Sequence, residues 1–144
     1  MAKNKQQFTE LSQLFFGTRQ LIRSKLPNNK ADPNEWMRCE MLRHIRFAKT
    51  PPTMRELADY LHVKAPSATS VVIRLEREGF LARVREAKDK RIVRLVLSPK
   101  GEKRVARYVA DSSRIMEKVF SKISDQDVAS LSRILRSVQK AHQG

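Results

Sequence analysis

Apolar residues recur at helical spacing along most of the chain, and local signals mark where each helix begins and ends. From about Gln6 to Leu26 the apolar side chains fall on one helical face, and "LPNNKADP" then breaks the pattern with two prolines and two asparagines. A second helix is expected to begin at Asp32 and Pro33, an N-cap and a first-turn proline, and to end at "KTPP". Two amphipathic helices are therefore predicted in the first third of the chain.

Two shorter helices follow. Thr53 with Glu56 three residues later forms a capping box, which predicts a helix start. Pro66 is tolerated in the first turn of the next helix, and Gly79 ends that helix. Because the link "HVKA" between the two helices is tight, the pair is a candidate helix-turn-helix.

The pattern changes period after Gly79. In "FLARVR" and "RIVRLVL" polar and apolar residues tend to alternate, which predicts two strands joined by the charged tip "EAKDK". Ser98 and Pro99 are expected to start a long helix that reaches Ile123, and Ser124 opens a last helix. The predicted fold class is mainly α, with six helices and a small two-stranded hairpin.

Charge narrows the choice of partner. The chain has 144 residues and 40% hydrophobic residues, enough for one domain or two small subdomains without disulfides. Its formal net charge is +15, which favours a polyanion, with nucleic acid as the first candidate and an anionic membrane surface as the second. Twelve Lys or Arg against five Asp or Glu lie between Lys64 and Arg104. This segment is the first candidate for the contact surface.

Several classes of protein are not supported by the sequence. No run of 18 apolar residues occurs, and the start "MAKNKQQ" is polar, so we expect a cytoplasmic protein without a membrane partner. The chain has no HExxH, GxSxG or glycine-rich phosphate loop, so neither an enzyme nor a cofactor is expected. Glu40 and His44 are interpreted as a surface pair and not a metal site. Cys39 is interpreted as a small buried hydrophobe, with oxidant sensing as the alternative.

Three segments of the chain match a known family. They are "TMRELADYL", "SATSVVIRLEREGFL" and "DKRIVRLVLSPKG". In the last, Asp89 and Arg91 match an Asp-x-Arg motif, and Leu97, Ser98 and Gly101 match Leu-Thr-x-x-Gly with serine for threonine. Because of these motifs and the order of its predicted elements, the chain resembles the MarR family of winged helix-turn-helix transcription regulators. The resemblance covers nearly the whole chain.

The resemblance implies both an architecture and a function. Residues 31–98 would form the winged helix-turn-helix DNA-binding domain, and residues 1–30 and 99–144 a helical dimerisation region. The function implied is a transcription repressor that binds a palindromic operator as a homodimer and responds to a small-molecule effector. Its partners would be double-stranded DNA, a second copy of the chain and that effector. The alternative is a winged-helix module for protein interaction or for nonspecific nucleic-acid binding.

Candidate contact residues follow from the pattern together with the resemblance. The second helix of the candidate helix-turn-helix is the recognition helix, and its stripe of Ala68, Val71, Val72 and Leu75 is expected to face the core. The hydroxyl residues of this helix are then left on the outside. Many relatives, however, have a larger basic residue where Ser70 stands. In the hairpin, or wing, Asp89 would orient Arg91 for the minor groove, whereas a solvated loop is the alternative. Arg77 and Arg94 would contact phosphates. The predicted DNA-binding residues are Lys64, Pro66, Ser67, Thr69, Ser70 and Arg74 on the recognition helix, and Arg83, Arg85, Lys88, Asp89, Lys90 and Arg91 on the wing.

Overall fold

A computed structural model describes residues 4–26 and 34–143, and the predicted fold class is confirmed there. Six helices and one antiparallel hairpin occur in the predicted order. The elements are α1 (Lys5–Lys25), α2 (Glu35–Phe47), α3 (Met54–Leu61), α4 (Ala65–Arg77), β1 (Leu81–Arg85), β2 (Val93–Leu97), α5 (Pro99–Val119) and α6 (Asp125–Ala141).

Two helix boundaries differ from the prediction. Helix α2 begins at Glu35 with Asn34 as its N-cap, while Asp32 and Pro33 lie outside the described residues. The prediction that α5 reaches Ile123 is wrong, because α5 ends at Val119. The backbone N–H of Ile123 bonds instead to the carbonyl oxygen of Phe120, 3.0 Å away, and closes a tight turn. Apolar spacing alone did not reveal this turn.

The described residues fall into two compact units. Among the described residues, the central unit comprises residues 34–111, and the terminal unit combines residues 4–26 with residues 112–143. Helix α5 contributes its first part to the central unit and its remainder to the terminal unit.

The core of the central unit is formed by α2, α3, α4 and the hairpin. Met41, Leu42, Leu57, Leu75 and Leu95 are fully buried there. They come from all three helices and from β2, so burial of their apolar surface stabilises the packing of these elements against one another. The hairpin pairs Leu81 with Leu97 and Arg85 with Val93. The register places the charged tip at the far end from the core residue Leu81.

The junction between α4, β1 and α5 explains the Leu-Ser-x-x-Gly motif. Gly79 has a φ of 81°, a left-handed conformation that few residues other than glycine adopt easily. Ser98 Oγ donates to the carbonyl oxygen of Gly79 at 2.5 Å and accepts from the N–H of Gly101 at 3.1 Å. A Cβ atom on Gly101 would overlap the carbonyl oxygen of Phe80. The motif therefore fixes the start of α5 next to the turn that ends α4.

The terminal unit exposes much of its apolar surface. Among the described residues of α1 and α6 none is buried. Ser124 caps α6, because its Oγ accepts from the N–H of Asp127 at 3.1 Å. The exposed large apolar side chains include Phe8, Leu11, Leu14, Phe15, Phe16 and Leu21 on α1, and Leu131, Ile134 and Val138 on α6. A search of the described residues for a helix able to cross a membrane finds none.

Candidate nucleic-acid interface

Helix α4 has one buried face and one exposed face. Ala68, Val71, Val72 and Leu75 are buried, as predicted. The opposite side carries four exposed residues at spacing i, i+4, i+7 and i+11, and we call this line the outward strip. The outward strip consists of Pro66, Ser70, Ile73 and Arg77. The sequence interpretation did not include Ile73, although helical spacing from Ser70 would have indicated it.

The hydroxyl groups of α4 donate their protons within the helix. Thr69 Oγ1 donates to the carbonyl oxygen of Ala65 at 2.8 Å, and Ser70 Oγ donates to that of Ser67 at 3.1 Å. A hydroxyl has a single proton to donate, so in this geometry both side chains present only acceptor oxygens and carbon atoms to a partner.

A chain of ion pairs joins α4 to α2 and α5. Arg74 Nε donates to Glu78 Oε1 at 3.0 Å, and the other oxygen of Glu78 accepts from Arg38 of α2. Arg38 also bonds to Glu35 at 3.3 Å, and Glu35 in turn accepts from Arg104 of α5. The guanidinium of Arg74, a predicted contact residue, is thus held toward the end of its own helix.

The tip of the wing brings Asp89 and Arg91 together. Arg91 Nε donates to Asp89 Oδ1 and Nη2 donates to Oδ2, both at 3.0 Å. The backbone N–H of Arg91 donates to Oδ1 at the same distance. These bonds lower the pKa of Asp89 and raise that of Arg91, so both groups stay charged. The side chain of Arg91 is nevertheless 91% exposed.

Other basic residues of the wing have different partners. Arg85 Nη1 donates to the carbonyl oxygen of Lys90 at 2.8 Å, which ties the two sides of the tip together. Arg83 pairs with Glu76 at 3.2 Å.

Arg94 links strand β2 of the wing to the segment before α3. It bonds to Glu86 Oε2 at 3.0 Å and to the carbonyl oxygen of Pro51 at 2.9 Å. Leu95 N–H strengthens the same link by donating to the carbonyl oxygen of Pro52 at 2.8 Å. Arg94 therefore has partners inside the protein that a phosphate contact, as predicted from the sequence, would have to share.

Lys64 is the N-cap residue of α4, and Pro66 and Ser67 lie in its first turn. Lys64, Pro66 and Ser67 are exposed, as are Lys88 and Lys90 at the wing tip. The predicted contact residues thus belong to two neighbouring features of the central unit, the exposed side of α4 and the hairpin.

Glu40 belongs to a polar cluster on α2. Its carboxylate accepts from Arg43 at 3.1 to 3.2 Å and from the hydroxyl of Tyr108 at 2.8 Å. Arg43 also donates to the hydroxyl of Tyr60 at 3.1 Å, and the Tyr60 ring stacks on His44 with centroids 3.7 Å apart. Burial lowers the pKa of His44, assisted by the charge of Arg43. In the part of the chain that is described, no three potential ligands are grouped to hold a metal ion.

Cys39 is buried on α2 beside Glu35, a member of the chain of ion pairs. Burial raises the pKa of its thiol to about 12, and the neighbouring carboxylate of Glu35, 3.5 Å from Sγ, contributes. A thiol with this pKa is almost entirely protonated at neutral pH, and the protonated form is a poor nucleophile.

Comparison with known proteins also indicates a winged helix-turn-helix. The MarR family model matches residues 42–93, the segment that contains α3, α4 and most of the wing. A MarR family protein from Bacillus stearothermophilus superimposes with a TM-score of 0.78 at 25% identity, over 99% of this chain and 100% of that one. The chain therefore has the fold and the helix-turn-helix segment of the MarR family. These similarities indicate a MarR-type DNA-binding transcription regulator and not an enzyme.

Two further proteins are similar to the chain. The helix-turn-helix transcription regulator YwoH of Bacillus subtilis is 29% identical over 118 residues, which are 78% of this chain and 82% of YwoH. FabT of Streptococcus pneumoniae, whose structure was solved in complex with DNA, superimposes with a TM-score of 0.70 at 20% identity, over 95% of this chain and 96% of FabT. At that identity the likeness to FabT concerns the fold.

Proposed function

We propose that this MarR-family regulator is a homodimeric repressor that binds a palindromic operator. Helix α4 would enter the major groove, and Arg91 of the wing would enter the adjacent minor groove. The observation that carries this proposal is the paired but almost fully exposed guanidinium of Arg91 at the wing tip.

The pairing suits a contact in the minor groove. A narrow minor groove is strongly negative and attracts arginine side chains. A flexible arginine loses rotamer freedom when it enters, and a side chain already held in place loses less. Asp89 holds the guanidinium by two parallel hydrogen bonds while most of its surface stays accessible. We infer that Asp89 orients Arg91 for DNA.

The remaining predicted residues fit a supporting role around α4 and the wing. Lys64, Lys88 and Lys90 are exposed and suited to phosphate contacts that position the protein without reading sequence. Arg74, Arg83 and Arg85 each have a bond inside the protein, so a phosphate contact would have to share or replace it. Pro66, Ser67, Thr69 and Ser70 would lie against the major groove.

The apolar surface of the terminal unit supports the proposal of a dimer. Phe15 and Phe16 of α1 are 54% and 64% exposed, and Ile134 and Val138 of α6 are exposed as well. Surfaces of this kind on soluble proteins mark association sites. We propose that residues 1–30 and 99–144 form the dimerisation region and that residues 31–98 form the DNA-binding domain. A two-fold dimer presents two equal α4 helices and therefore requires a palindromic site.

Repression and effector control are proposed by likeness to relatives. MdtR of Bacillus subtilis, a transcription repressor, is 26% identical to this chain over 86 residues. DNA binding by BpsR of Bordetella bronchiseptica is regulated by 6-hydroxynicotinic acid, and BpsR shares the fold with a TM-score of 0.69. We propose a repressor whose DNA binding is controlled by a small molecule. It would act in the cytoplasm, where the DNA of a bacterium lies.

Selection of bound duplexes from a random pool, followed by footprinting of the winning sequence, tests the proposal. We expect one palindrome with half-sites about one helical turn apart, centre to centre. Binding that is equally tight to all sequences would contradict it and would favour the alternative, a module for protein interaction or nonspecific nucleic-acid binding.

A further inference from the structure

The outward strip of α4 has a large apolar residue near its centre. Ile73 is 41% exposed and lies between Ser70 and Arg77, one helical turn from each. Isolated apolar residues on a surface are common and need no explanation in general. Ile73, however, lies on the face of the helix that the proposed function places against the major groove, where donors and acceptors would be expected.

The neighbours of Ile73 reinforce its apolar character. The hydroxyl protons of Thr69 and Ser70 are donated to backbone carbonyl oxygens of the same helix. Their outward atoms are therefore carbons and acceptor oxygens. Ser70 is also short, and a short side chain one turn before Ile73 lets the helix approach base edges closely. The middle of the strip is thus better suited to an apolar contact than to donating hydrogen bonds to bases.

The major groove offers one apolar group to such a surface, the C5 methyl group of thymine. We propose that Ile73 packs against a thymine methyl in each half-site and is a specificity-determining residue of this regulator. This inference rests on the proposed function, since it requires α4 to lie in the major groove. It extends that function by naming a base and the chemical group that is read.

Isoleucine suits this role because its side chain is stiff. A β-branched residue in a helix strongly prefers one χ1 rotamer, so little side-chain entropy is lost when it packs against a base. Burial of one methyl group against an apolar surface corresponds to about a fourfold change in affinity. The contact would therefore tune sequence preference, while the charged residues supply most of the affinity.

Deoxyuridine substitution isolates the methyl group. It replaces thymidine without changing base pairing and removes only the C5 methyl. The probe is the duplex selected from a random pool by the wild-type protein, with each thymine of one half-site replaced in turn. For the wild type we expect one position where the substitution weakens binding about fourfold. For Ile73→Ala we expect the same position to be insensitive.

Two variants serve as controls. Ile73→Val keeps a β-branched side chain and should retain most of the sensitivity. Val84→Ala shortens a similarly exposed aliphatic residue of the wing, 48% exposed, and should leave the wild-type sensitivity unchanged. Because Ile73 is well exposed, its variants should unfold at nearly the wild-type temperature. Equal unfolding temperatures would attribute the difference in binding to the contact itself.

The outcomes separate this inference from the function on which it rests. If the wild type selects a palindrome but no thymine is sensitive to loss of its methyl group, or if Ile73→Ala shows the same sensitivity as the wild type, the role of Ile73 is refuted while the proposed function stands. If the wild type selects no sequence, both are refuted. The methyl-dependent loss in the wild type and its absence in Ile73→Ala together support the contact.

Discussion

The carboxylate of Asp89 holds the guanidinium of Arg91 by two parallel hydrogen bonds of 3.0 Å at the tip of the wing. Asp89 also accepts the backbone N–H of Arg91, so a single acid fixes both the backbone and the side chain of this arginine. By its charge alone, an acidic residue in a basic segment weakens binding to a polyanion. Here the acid has a structural role, because it holds the arginine in place. This arrangement predicts whether replacing Asp89 weakens or strengthens DNA binding.

Arg91→Ala should weaken operator binding roughly ten- to a hundredfold, because it removes the proposed contact in the minor groove. Asp89→Ala should weaken binding too, since it releases the side chain that it holds. Bulk electrostatics predicts the opposite for Asp89→Ala, because removing an acid raises the net positive charge. Binding titrations of both single variants and the double variant at fixed salt measure the effects.

In the double variant the two effects should not add, since Asp89 would act through Arg91. Lys88→Ala is a matched control at the same tip, and it should weaken binding modestly whether or not Asp89 is present. Tighter binding by Asp89→Ala, or simple additivity with Arg91→Ala, would show that Asp89 does not orient Arg91.

The affinity for DNA should depend steeply on salt. If several lysines and arginines of each subunit neutralise phosphates, the binding constant should fall roughly a thousandfold between low and near-physiological salt. Lys90→Ala should reduce the slope of log K against log salt concentration by about one for each phosphate that the lysine neutralises. Fluorescence anisotropy over a salt series measures both quantities, and a flat salt dependence would exclude a major role for phosphate contacts.

Gly101→Ala should destabilise the protein by about 1 to 3 kcal/mol, because an added Cβ would overlap the backbone oxygen of Phe80. Gly17→Ala is the matched control. Gly17 lies inside α1 and has no atom within 4 Å of its added Cβ, so this change should stabilise the helix by about 0.5 to 1 kcal/mol. Urea unfolding at a fixed protein concentration compares them. Equal stability of both variants would mean that the junction can relax around Gly101.

The thiol of Cys39 should be almost inert in the folded protein. Burial raises its pKa to about 12, and below that value the thiol predominates over the reactive thiolate. Labelling with iodoacetamide at pH 8 should therefore be much slower in the folded protein than in guanidinium chloride. Peroxide should affect DNA binding of the wild type and of Cys39→Ser equally. Inhibition confined to the wild type would instead favour oxidant sensing, the alternative considered from the sequence.

Light scattering at micromolar concentration should give twice the mass of one chain. Combining Phe15→Glu with Ile134→Glu should lower the mass toward that of a monomer, because both place charge on the exposed apolar surface of the terminal unit. Val84→Glu places the same charge on an exposed aliphatic position of the wing and should leave the mass unchanged. A wild-type monomer would contradict the proposed dimer.

Features that depend on residues close together in the chain were determined by the sequence itself. Thr53 caps α3 through the N–H of Glu56 at 3.2 Å, and Ser124 caps α6 in the same way. Asp89 and Arg91 are two residues apart, so their pairing could be anticipated from the motif. Binary patterning also predicted the six helices, the hairpin and the buried face of α4, because burial follows the helical and strand periods.

Only the tertiary structure decided which polar groups are already bound to distant partners. Arg38 meets Glu78 from 40 residues away, and Arg94 meets the Pro51 carbonyl oxygen from 43 residues away. Such pairs depend on how helices and strands pack, which local patterns do not encode. A side chain's partners are known only when every element around it is in place, so the fold was needed to tell which basic residues have partners inside the protein.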